Sequence, residues 1–173
     1  GYCNIPANLT GFVGALITSD KPIVVNTGNA LAGMGTQGDG QDFNLDQIVS
    51  LEEVGTEYIL VKGNGSTNTE LPLLIGTEDN TTIFINGNPI PVTTINAGDY
   101  FLVPTSFYQG VNNNNIYITS DKPIYVYQII AGDVSDATSG LNFIPPLSCF
   151  FQKSVDLIPN INFIGGTQFS AAV

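Results

Sequence analysis

Three aspartates, Asp39, Asp42 and Asp46, stand close together beside the glycine-rich run Gly33-Met34-Gly35-Thr36-Gln37-Gly38-Asp39-Gly40. Hard carboxylate oxygens and the backbone carbonyls of such a loop suit calcium, although the spacing matches no EF-hand. Asp133 and Asp136 form a weaker version of the same pattern. Calcium is the one cofactor these residue types point to. Six further acids, Glu52, Glu53, Glu57, Glu70, Glu78 and Asp79, contain candidate glycosidase pairs, because that chemistry needs only two carboxylates flanking the bond. Solvated acids in an acidic chain are the plainer reading, and the chain is read as a non-enzyme. Histidine is absent. Ser-His-Asp and Cys-His constellations are therefore excluded, as is the commonest general base near neutral pH. Zinc sites containing His are excluded too, and two cysteines cannot build a four-cysteine site. The glycine run lacks the Gly-Lys-Ser/Thr ending of a phosphate loop, and no clear helix follows it. Among the aromatics, Tyr100, Phe101, Tyr125 and Tyr127 fall on predicted strands, where core packing is the simpler reading than a sugar platform. Phe107 and Tyr108, in a loop after Pro104, are better placed for contact with a ligand.

The elements that must position these residues are organised around an internal repeat. Ile17-Thr18-Ser19-Asp20-Lys21-Pro22-Ile23-Val24-Val25 returns as Ile118-Thr119-Ser120-Asp121-Lys122-Pro123-Ile124-Tyr125-Val126, with only Val24 and Tyr125 differing. Each copy reads as strand, tight turn at Ser-Asp-Lys-Pro, strand, with Asp and Ser capping the turn and Pro presetting φ. Equivalent places in a duplicated β architecture follow from such a repeat. Elsewhere, β-branched and aromatic runs alternate with Gly, Asn, Pro and Asp, which predicts strands over 12–18, 22–26, 57–62, 72–76, 81–86, 90–94, 100–103, 115–119 and 124–130. Asn86-Gly87 marks a hairpin through its tolerance of positive φ, and 95–99 reads as a turn into the next strand. Residues 28–42 and 132–142 read as loops, and 43–54 has room for a turn or two of helix. The fold class expected is all-β: an antiparallel β-sandwich or jelly roll, with an internal duplication of a strand-turn-strand unit. Residues 1–158 are assigned to this domain, and 159–173 to its last strands or the start of a following β module.

Composition narrows the address and the partners. Four basic residues face fifteen acidic ones, a net charge of −11. That excludes nucleic acid, which needs clustered Lys and Arg, and docking on anionic lipid through a basic patch. No apolar run is long enough to cross a bilayer as a helix, so no direct membrane insertion is expected. Only 11 % of residues are charged, against 43 % hydrophobic, so Asn, Thr, Ser, Gly and Gln must cover much of the surface. This composition, with Asn-x-Ser/Thr sequons at Asn8, Asn64 and Asn80, suggests an extracellular or cell-surface location. Cys3 and Cys149 allow a single intrachain pairing, and a disulfide there would add roughly 4 kcal/mol in the chain-entropy picture; two buried thiols are the alternative. A start at Gly1-Tyr2-Cys3 and a last stretch that stops within strand-like sequence suggest a segment of a larger polypeptide.

Several phrases carry a family resemblance. They are the repeated Ile-Thr-Ser-Asp-Lys-Pro-Ile, Val54-Gly55-Thr56-Glu57-Tyr58, Gly76-Thr77-Glu78-Asp79-Asn80-Thr81-Thr82-Ile83 and Asn96-Ala97-Gly98-Asp99-Tyr100. Together they resemble the IgGFc-binding-protein N-terminal-like domain over residues 11–158. Gly140-Leu141-Asn142-Phe143-Ile144-Pro145-Pro146-Leu147-Ser148-Cys149 resembles the version found in large surface and gliding-type adhesins of Bacteroidota. The resemblance implies a noncatalytic β-rich module of a secreted or surface-anchored protein with structural or adhesive roles. Its implied partners are neighbouring modules of the same polypeptide, other surface proteins, or glycans. A carbohydrate-binding module with a defined sugar site is the alternative, and a glycoside hydrolase a more distant one. The phrases are turns and strands rather than catalytic signatures, so no binding residue is carried over.

Overall fold

A computed structural model of the chain describes residues 12–32, 42–63, 70–111, 114–130 and 140–148. Along these residues run β1 (Val25–Ala32), β2 (Asp42–Ile48), β3 (Gly55–Val61), β4 (Pro72–Gly76), β5 (Thr81–Ile85), β6 (Thr93–Ile95), β7 (Tyr100–Leu102), β8 (Asn115–Ile130) and β9 (Gly140–Phe143). Every pairing among them is antiparallel. The architecture is all-β and sandwich-like, and its spine is the 16-residue β8.

The first half of β8 pairs with β3 on one edge and β5 on the other; its second half pairs with β9 and β4. β4 and β5 follow one another along one edge, joined by residues 77–80. β6 and β7 flank them in the same way, joined by the turn at 96–99. Three neighbouring stretches thus cross at one level from one half of the sandwich to the other. Strands that switch sheets in this manner need extra residues at the corner. On β8 they are visible as register: Gly55 faces Ile124 and Glu57 faces Thr119, so two steps along β3 match five along β8.

That corner corrects the tight turn expected at Ser120-Asp121-Lys122-Pro123. The chain bends there but does not reverse, and 115–119 and 124–130 belong to one strand. Pro123 sits where a ladder amide is dispensable, which is where proline is tolerated in a sheet. The first repeat copy differs again. It is not a strand over 12–18; the chain turns at Phe12–Gly14, bends at Asp20-Lys21 and enters β1 only at Val25. Residues 43–54 hold β2 and a 3₁₀ turn, Leu51–Glu53, because β2 pairs with β1 from Val25↔Ile48 onward. Pairing to the preceding strand outweighs a weak local helical preference.

The core follows from period-two alternation. Tyr58 and Leu60 of β3, Leu74 of β4, Ile83 and Ile85 of β5, Ile116, Ile118, Ile124 and Val126 of β8 all point inward, joined by Ile95 and Val103. Burying each such aliphatic side chain contributes about 1.5–3 kcal/mol. On the opposite face of β8, Tyr125 stacks on Tyr127 at 6.4 Å, and Phe143 of β9 meets both edge-on. The Tyr125 hydroxyl donates to the Val49 carbonyl (2.8 Å), which ties the β1–β2 pair to this aromatic patch.

Candidate functional site

The corner concentrates the described polar chemistry. Its first strip, residues 77–80, lies against the bend of β8: Thr77 donates from Oγ1 to the Pro123 carbonyl (2.5 Å), and Lys122 donates from Nζ to the Asp79 carbonyl. Asp121 accepts the Thr82 amide on Oδ1 (2.7 Å), and Ser120 closes the bend by donating to the Lys122 carbonyl (2.7 Å). The second strip, residues 96–99, joins through Asn96 Oδ1, which accepts the Asn80 amide (3.1 Å), and Asp79 Oδ1, which accepts the Ala97 amide (3.2 Å). Asp99 Oδ2 accepts the Asn96 amide (3.0 Å) within its own turn. Two residues take positive φ that their types allow: Asn80 has φ +56°, which Asn tolerates, and Gly98, with no Cβ, has φ +80°. Gly76 must lack a side chain, because a Cβ there would lie 2.4 Å from the Asn96 carbonyl oxygen.

From the other edge of β8, Tyr58 completes the corner. Its hydroxyl accepts the Gly55 amide (2.8 Å) and donates to the Ile124 carbonyl (2.5 Å). Burial raises its pKa to about 12, against the smaller opposing effect of the Gly55 hydrogen bond. Burial likewise raises Tyr127 to about 12, helped by the nearby Asp46 charge.

A second polar group lies inside the sandwich, away from the corner. The buried Glu70 carboxylate accepts the Gly63 amide (3.2 Å) and lies 3.4 Å from Gln128 Nε2, which also donates to the Val61 carbonyl (2.7 Å). Tyr108 approaches the same group. Burial first, then the Glu70 charge, pushes its pKa up, with Gln128 opposing. Its buried hydroxyl has no hydrogen-bond partner among the described residues. Phe107 and Tyr108 flank the end of a 3₁₀ turn, Thr105–Phe107, and both pack partly against the core cluster.

The remaining sequence candidates are spread out. Glu52 and Glu53 are exposed on the Leu51–Glu53 turn, Glu57 is exposed on β3 and accepts the Tyr117 hydroxyl, and Glu78 and Asp79 are exposed at the corner. Tyr100 is exposed on β7, Phe101 packs on the core, and Tyr125 and Tyr127 belong to the aromatic patch. Asp42 opens β2 opposite Ala32, and Asp46 faces Thr27. Asp39, Asp133, Asp136, Cys3 and Cys149 lie outside the described residues. Among the described residues, no three Asp, Glu or Cys side chains group as a metal site, and no helix is long and apolar enough to cross a membrane. Sequence reasoning missed Tyr58, Thr77 and Gln128. The signal for Tyr58 was its place in Val54-Gly55-Thr56-Glu57-Tyr58, one of four phrases that meet at this corner.

The IgGFc binding protein family matches residues 7–171. The chain belongs to the IgGFc binding protein family. Its family phrases gather where strands change sheets, so their residues bond mainly to backbone. No curated protein and no solved structure matches the chain. Membership in the IgGFc binding family points to a binding module in general terms.

Proposed function

We propose that the chain is a noncatalytic structural or adhesive module of a large secreted or cell-surface bacterial protein, whose polar loops make reversible contacts with glycans or proteins. The observation that carries this reading is the corner rim, where Asp79 and Asn96 engage backbone amides across the two strips, Asp121 engages the Thr82 amide and Asp99 braces its own turn. A polar surface fixed in advance loses little conformational entropy on contact. Amides, hydroxyls and few cations suit wet, reversible contacts better than a dry obligate interface. Neighbouring modules of the same polypeptide and other surface proteins are the partners this reading implies. The family description names IgG Fc, and no residue of this chain gives a separate reason to inherit that ligand.

The test is retention by the immobilised chain of an array of glycans, a panel of surface proteins and IgG Fc. Ala97→Arg places bulk on an exposed rim position. Binding in the glycan or protein arm, weakened about tenfold by this change with an unaltered melt, supports the reading. Loss on Tyr108→Ala with Ala97→Arg silent favours a defined sugar site near Phe107 and Tyr108 instead. Retention in no arm overturns the reading, as does glycan cleavage abolished by Glu57→Gln or Glu78→Gln.

A calcium ion held by Asp39, Asp42 and Asp46 would stiffen such a module. Asp46 has one oxygen to offer: Oδ1 accepts the Gln47 amide (2.8 Å), while Oδ2 is buried with no hydrogen-bond partner among the described residues. Excess EDTA then lowers the melting temperature, and calcium restores it. An EDTA-insensitive melt removes calcium from the account.

A further inference from the structure

The two repeat copies share eight of nine residues yet meet opposite surroundings. In the second copy Ile118, Ile124 and Val126 are fully buried. In the first, Ile17 and Ile23 are each 55 % exposed and Val24 is 73 % exposed, with Leu16 and Phe12 beside them also exposed. Among the described residues no strand pairs with 15–24. The second copy shows what such a motif needs. Its corner is covered by residues 54–58 and 76–83, the latter braced by 96–99, all supplied by sequence that precedes it in the chain. Beyond the motif the two copies continue alike: each runs into a strand that an antiparallel return strand covers, β1 with β2 and β8 with β9.

We propose that residues 17–25 are the corner strand of a second β unit, and that the surface they present docks a segment built like residues 54–111, lying upstream in the parent polypeptide. The partner is thus defined by chemistry: a β3-like strand opening with a Gly-Thr-Glu-Tyr type anchor, and a β4–β7-like ribbon with a Gly-Thr-Glu-Asp type strip for the Asp20-Lys21-Pro22 bend. A repeat unit that cannot bury its apolar face alone needs its neighbour to do so. The phrase Thr18-Ser19-Asp20-Lys21-Pro22 keeps the side chains that bind the strip in the second copy, which a merely solvent-facing linker would not require. This extends the modular reading above by naming the strand through which one module would join the next, and it stands or falls separately from any glycan or protein ligand.

Hydrogen exchange resolved along the chain tests the proposal. In the chain as it exists, amides of 17–25 exchange at least about 100-fold faster than those of 118–126. In a tandem protein with residues 42–117 placed directly ahead of Ile17, in place of residues 1–16, the first copy slows by about 100-fold, and Ile23→Asp in that tandem reverses the slowing. A tandem whose first copy still exchanges freely overturns the proposal. So does protection in the chain as it exists: concentration-dependent protection would assign the surface to a second copy, and concentration-independent protection to another part of the same chain. A readout that does not depend on folding of the tandem is a fluorescent peptide of residues 70–104 titrated with the chain. Binding weakened about tenfold by Ile23→Asp, an exposed site, supports the docking surface, whereas no binding or an unaffected affinity counts against it.

Discussion

The Tyr58 hydroxyl satisfies two backbone groups at once, the Gly55 amide and the Ile124 carbonyl. Tyr58→Phe strands both in a largely buried setting, and a loss of about 1–2 kcal/mol follows, read by urea denaturation. Titration gives a second reading of the same residue. A tyrosine whose folded pKa is raised from 10.0 to about 12 holds its proton longer when folded than when unfolded. Stability from Tyr58 and Tyr127 is therefore complete below pH 10 and falls as pH rises toward 12. Tyr58→Phe flattens part of that fall, and an unchanged slope would place the titration elsewhere. At this scale the sequence was only partly legible. The absence of His excludes whole chemistries by composition alone, but which acids sit where depended on contacts distant in the chain. Glu70 reads like any other glutamate, yet it is buried against the Gly63 amide and Gln128.

Strands and turns were more legible than sites, because their signals are local. The Asn86-Gly87 turn has φ of +55° and +70°, as the dipeptide predicts. Open space surrounds a Cβ at Gly87, so Gly87→Ala pays only backbone strain, about 1 kcal/mol. Gly76→Ala is worse by a different mechanism, because its Cβ would press on the Asn96 carbonyl across the corner; about 2–3 kcal/mol is expected, measured in the same urea assay. Equal effects from the two substitutions would mean that the strips at 77–80 and 96–99 are not in close contact. The same element scale shows why Ser-Asp-Lys-Pro was misread. A tight reversal and a sheet corner use the same residues, and only the register of β3, β4 and β5 on β8 separates them. β1 and β2 are consecutive strands, but their pairing leaves no local signal in 43–48, so 43–54 read as room for a turn or two of helix, of which only Leu51–Glu53 takes a helical turn.

For the molecule as a whole, the corner explains how a chain with few charges holds a bent 16-residue spine. Apolar alternation supplies the core on both sides of the bend, and side-chain bonds to backbone fix the angle between them. The all-β antiparallel class could be read from strand spacing and turn residues, but the crossing of three strips at one level could not. The phrase side chains that bond inward at the bend, Tyr58 and Thr77, build the scaffold, and contacts with partners fall to its exposed rim. Thr77 binds the Pro123 carbonyl and Tyr58 binds the next one, Ile124, from the opposite edge. The most direct test is a double-mutant cycle of Tyr58→Phe and Thr77→Val, measured by urea denaturation alongside ligand retention. Groups that share one bend should couple by at least about 0.5 kcal/mol, with retention by the folded variants unchanged. Strictly additive, negligible losses of stability together with lost ligand retention would contradict the claim.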